Sequence, residues 1–166
     1  MLITRLGKTA LVAAMAFYAS LVAFGNITDY GTNYAFVEHV LKMDTIFPGA
    51  SITYRAIDNP LLWQVFYLLI IAAETLTALL CWIGAGRMLQ RLRADAATFN
   101  RGKAWSIGGL GFGFLVWQVA FMSIGGEWFG MWQSQTWNGE DSAFRIFITM
   151  LAVLIFVTLR DDELAD

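Results

Sequence analysis

The sequence predicts an all-α membrane protein: a four-helix transmembrane bundle with a long outer loop that contains a short helix. Three observations carry this. Hydrophobic residues make up 58% of the 166-residue chain and charged residues 14%, against roughly 45–50% and about 25% in soluble domains. Four apolar runs reach the length of a membrane-spanning helix, which needs about 20 largely apolar residues. Basic residues gather on alternate connections, the distribution expected when cytoplasmic loops collect Lys and Arg. A soluble domain of this size has too high a surface-to-volume ratio to hide so much apolar surface, and the mean hydropathy is +0.58, so the excess faces lipid. The length suits one domain, residues 1–166. A single cysteine, Cys81, leaves no internal disulfide and no multi-cysteine metal or redox centre.

The first span runs over residues 9–25, rich in alanine and preceded by Arg5 and Lys8. A basic start before an apolar stretch also fits a signal peptide, but no convincing small-x-small cleavage site follows; the segment reads as an uncleaved helix. Residues 26–60 form an outer loop too long to be only a connector. Within it Thr32 or Asn33 can cap a short helix ending near Met43. Phe36, Val37, Val40 and Leu41 share one face of that helix, which therefore lies on the membrane surface or folds over the spans as a lid. Pro48-Gly49 and Asn59-Pro60 mark the turns that return the chain to the bilayer.

The second span, residues 61–86, opens after Pro60, which suits a first helical turn. Its length comes to about 39 Å at 1.5 Å per residue, so it should tilt or protrude. A basic inner link, residues 87–103, leads to the third span, residues 104–125. The fourth, residues 143–159, is the shortest. Strands are excluded because a membrane barrel shows alternation over short segments, whereas these runs are apolar on all sides.

Charge sets the sidedness. Arg5, Lys8, Arg87, Arg91, Arg93, Arg101, Lys103 and Arg160 fall on one side, and only Lys42, Arg55 and Arg145 on the other. The positive-inside rule then places both termini in the cytoplasm, and the link's basic residues each contribute about 1 kcal/mol of attraction to anionic headgroups. Trp63, Trp128, Trp132 and Trp137 should sit at the outer interface, and Trp82 and Trp105 at the inner one, because amphipathic rings prefer the headgroup level.

Two outer segments, NITDYGTNYAFVEHVLKMDT (26–45) and GGEWFGMWQSQTWNG (125–139), resemble a family of predicted small bacterial integral membrane proteins of unknown function. The similarity extends over nearly the whole chain, and the Trp-rich stretch is its most specific part. The resemblance implies a bacterial inner-membrane protein with four helices. It implies no activity, ligand or catalytic residue.

Glu74 is the most informative position. It falls near the middle of the second span, where a charge costs roughly 2.5–3.5 kcal/mol on insertion scales. Trp63, Tyr67, Ile70, Glu74, Thr77 and Cys81 recur at alternating spacings of four and three and so share one helix face, assigned inward. Gln118 of the third span lies at a similar depth and is the expected hydrogen-bond partner of Glu74. Such a residue serves either as a proton or cation site or as hydrogen-bonded glue between helices. Gly109 and Gly113 form a G-x-x-x-G pair that lets helices approach closely. Arg145 should pair with Glu127 or Glu140, unless it snorkels to the headgroups. His39 is the only histidine, weak grounds for a metal site, and Asn26-Ile27-Thr28 matches a glycosylation sequon.

No nucleophile–base pair, phosphate-binding loop or nucleic-acid motif is present, and no catalytic, cofactor or metal residue is assigned. The expected function is a non-enzymatic subunit that binds lipid, another membrane protein or a second copy of itself. Its outer face would use Glu127, Trp128, Trp132, Trp137 and Arg145. The alternative is a small ion or proton channel, or a transporter, with Glu74 lining the path.

Overall fold

Lipid offers backbone groups no hydrogen bonds, so a chain crossing it as single segments must coil into helices. The computed structural model describes residues 2–163. It comprises α1 (Leu2–Thr28), α2 (Tyr30–Lys42), α3 (Pro60–Gln90), α4 (Ala96–Gly102), α5 (Ala104–Leu115) and α6 (Glu140–Thr158). α5 runs on directly into a π-helical segment, Val116–Trp128. Four stretches are long and apolar enough to cross a membrane: α1, α3, the α4–α5–π unit and α6. α1 packs on α3, α3 on α5, α5 on α6, and α6 returns to α1, closing a four-helix bundle. Val12, Ala16, Cys81, Leu110, Met150 and Val157 form its centre. Phe17, Leu21, Leu69, Leu79 and Ile155 point outward, the inverted pattern that lipid permits.

α3 is longer than the bundle needs. Asn59 caps it, its side-chain oxygen accepting from Leu61 N at 3.0 Å, with Pro60 in the first turn. Its first turns pack under α2, where Val37, Leu41, Trp63, Tyr67 and Phe129 make a second small core. Trp63 is therefore no interface anchor: it is 5% exposed, donates to Ile57 O at 2.7 Å and carries the Lys42 ammonium 4.5 Å from its ring. α2 starts earlier than expected, at Tyr30, almost continuous with α1; Asp29 stands at its N-cap without a side-chain cap bond. It ends at Met43 in the left-handed region, φ 54°.

The glycine pair behaves as the spacing predicts. A Cβ on Gly109 would lie 2.8 Å from Cys81 Sγ, and one on Gly113 would lie 2.7 Å from Thr77 Cγ2, so both let α5 press against α3. Gly108 and Gly111 face open space.

At the face where the chain's two ends meet, three basic residues are buried, and none of them faces headgroups. Arg5 is 0% and Lys8 1% exposed. Lys8 donates to Asp161 Oδ2 at 2.7 Å and to Leu159 O at 2.6 Å. Lys103 bonds the same carboxylate oxygen, together with Asn100 Oδ1 and Leu159 O. Arg5 donates to Leu92 O, Ala94 O and Asp162 O and lies 4.7 Å from the Phe99 ring centre. Glu163 accepts from Ala96 N at the start of α4. Residues 159–163 thus tie α1, α4 and α5 together. Burial pushes the Asp161 carboxyl up, but the hydrogen bonds and charges of Lys103 and Lys8 outweigh it and hold it below its usual value of 3.8.

Two outcomes follow for thermal unfolding in mild detergent. Gly109→Val should destabilise by about 1–3 kcal/mol through overpacking, whereas Gly108→Ala should not. Asp161→Asn, which strands two buried ammonium groups, should cost about 3–5 kcal/mol. Because the Asp161 pKa is depressed, its contribution is present above the usual value of 3.8 and is lost as pH falls below it. Wild-type stability should therefore drop in that acid window, and the variant's should drop less.

Candidate functional site

α1 continues to Thr28, so Asn26, placed in the outer loop by the sequence reading, stands in its last turn. From there Asn26 Nδ2 donates to Glu74 Oε2 at 2.6 Å, and Tyr67 donates to Asn26 O at 2.6 Å. That carbonyl is one of the four a helix end leaves without an intrahelical partner, and Tyr67 satisfies it. Tyr30 meets the Tyr67 ring edge-on at 4.8 Å and also hydrogen-bonds Gln64. Glu74 is 1% exposed. Its other oxygen, Oε1, has no hydrogen-bond partner among the described residues.

Glu74 lines a partly open cavity of about 390 Å³ between α1, α2, α3, the π segment and the start of α6. Asn33, Asn138 and Ser142 bring further polar groups to its wall, and Tyr67, Trp117 and Phe121 bring rings. A second cavity of about 320 Å³ lies between α3 and the π segment. Its walls are wholly apolar, with Leu69, Ala73, Ala120 and Ile124 along its sides and Val40 and Leu41 of α2 over it. It exists because α3 packs closely on α5 but only sparsely on the π segment. Phe36, Val37, Ile70 and Phe121 belong to the walls of both cavities.

Gln118 is not the partner of Glu74. It is half-exposed, its side chain has no hydrogen-bond partner among the described residues, and only its backbone oxygen is engaged, by Ser123. The π winding starts two residues earlier, at Val116. Hydrogen bonding from i to i+5 changes the angle between successive side chains, and Val116 and Trp117 turn inward instead. Asn26 was legible in principle. Val12, Met15, Ala19 and Val22 recur at spacings of three and four, and the next step of that face is Asn26.

The expected outer-face residues do not converge. Arg145 bonds Asp141 O and Ser142 Oγ in its own first turn, and among the described residues it pairs with neither Glu127 nor Glu140. Glu127, Trp128 and Trp132 are exposed. Arg55 lies 4.5 Å over Trp128 and donates to its carbonyl. Trp132 meets Phe47 edge-on at 5.7 Å. Trp137 stacks on His39 at 4.5 Å, and His39 Nδ1 lies 2.8 Å from Asp44. These contacts fasten the two outer segments to each other.

Asn26→Leu should destabilise by about 1–3 kcal/mol, because it removes the Glu74 partner from a buried site. Gln118→Leu should stay within about 0.5 kcal/mol. Thermal unfolding of the two variants side by side checks this.

Neither a curated protein nor a solved structure significantly matches the chain. A family model described as "Predicted small integral membrane protein (DUF2165)" matches residues 4–160. With four apolar helices and a match over nearly its full length, the chain belongs to this family of small integral membrane proteins of unknown function.

Proposed function

We propose that the protein is a non-enzymatic membrane subunit that binds a component of the membrane itself, a lipid in preference to a protein segment, in the cavity around Glu74. The observation that carries this is the unpaired Oε1 of a carboxyl group otherwise buried and hydrogen-bonded. Oε1 keeps access to the cavity that Glu74 lines, and a ligand there would give it the hydrogen-bond partner the protein does not. The cavity wall holds Glu74, tyrosines, amides and a hydroxyl, with no histidine, cysteine or lysine beside them; this favours binding over acid–base catalysis. Towards the terminal face the bundle centre is apolar, with Val12, Cys81, Leu110 and Met150 in contact, which favours a closed site over an ion path.

The same reading places the bundle in a bacterial inner membrane with both termini cytoplasmic. Its support is the basic bias of the terminal side and the contacts of Arg5 and Lys8 with residues 159–162, which put both ends on one face.

Native mass spectrometry of protein purified in mild detergent tests the binding reading. A small lipid should accompany the wild type and be depleted in Glu74→Gln. A wild type that carries no lipid and is not stabilised by added membrane extract would overturn it. So would ion flux in liposomes that depends on Glu74.

A further inference from the structure

We infer that the ligand is a single-chain amphiphile with an uncharged, hydroxyl-bearing headgroup: the headgroup sits at Glu74 and the chain lies in the apolar groove between α3 and the π segment. This rests on the binding reading above and deepens it. The two cavities adjoin, since Phe36, Val37, Ile70 and Phe121 line both, and a ligand that passes between these side chains would use them as one amphipathic site. Each is at the low end of the volumes typical of ligand pockets, about 300–1,000 Å³. The polar one suits a small headgroup, and the single apolar groove suits one chain.

Charge selects the headgroup. Beside an ionised Glu74, a phosphate or carboxylate would set a second negative charge, and like charges repel. An amine suits only an ionised carboxylate. A hydroxyl both donates and accepts, so it pairs with Oε1 whichever form Glu74 takes, and Asn33, Asn138 and Ser142 offer further donors and acceptors. Tyr67, Trp117 and Phe121 provide aromatic walls, against which a flat headgroup can stack. Membrane quinols and isoprenoid alcohols share this chemistry. Ordinary two-chain phospholipids and fatty acids do not.

The test uses the full chain in mild detergent and four probes: a quinol with a decyl chain, an isoprenoid alcohol of similar length, the quinol headgroup without a chain, and a fatty acid. Binding is read by thermal shift and by quenching of tryptophan fluorescence. The quinol or the alcohol should bind at least about tenfold more tightly than the chainless headgroup and the fatty acid, and whichever binds better identifies the source. Glu74→Gln should lose most of the discrimination against the fatty acid. Ala73→Phe, and independently Ala120→Phe from the opposite wall, should abolish the advantage of the chain while keeping the headgroup's affinity. Equal binding of chained and chainless probes overturns the groove assignment and leaves the Glu74 pocket standing. Fatty acid binding as tight as the quinol's overturns the charge argument. If no probe binds a folded protein that membrane extract still stabilises, the ligand class is wrong; if the extract also has no effect, the binding reading falls with it.

Discussion

A polar side chain buried within this bundle has little but the protein to bond with, and that constraint organises this molecule at both ends. On the terminal face it draws residues 159–163 back into the bundle, because Lys8 and Lys103 need the Asp161 carboxylate and Arg5 needs three backbone carbonyls from two segments. The start of α1 and residues 159–163 are thereby fixed to each other through buried ion pairs, which are demanding to assemble and costly to break singly. Basic residues that would otherwise serve as simple topology signals become structural here.

At the opposite end the same constraint acts on Glu74. The polar centre is assembled by α1 and α3, not by α3 and the third span, and Asn26 and Tyr67 complete it. The excess length of α3 is used there too: its first turns stand beside α2 and hold it as a roof. Below that roof the π segment stands away from α3, and the space between them is the apolar groove. The groove therefore has a local cause: the π segment stays close to α6 but packs only sparsely on α3. π-helical turns occur often at functional sites, and here the π segment contributes a wall to both cavities.

Much of the architecture was legible from the chain alone. The four spans, the short α2 and the close approach at Gly109 and Gly113 follow from rules that count residues along one dimension: apolar length against bilayer thickness, caps and turns, and small residues one turn apart. The inward face of α3 was also readable, since Trp63, Tyr67, Glu74, Thr77 and Cys81 are all buried. Partners were not readable in the same way. Arg145 turned to its own helix and Trp63 became core, because the neighbours that decide such outcomes come from elsewhere in the chain.

By itself, the sequence determined that this is a four-helix membrane protein with one costly carboxyl group facing inward. Only the tertiary structure decided what that group meets. The choice of Asn26 over Gln118 turned on where α1 ends and on a change of winding at Val116. Both depend on how the helices settle against one another, and a hydrogen bond made within a few tenths of an ångström responds to rotations that hydrophobic periodicity does not record.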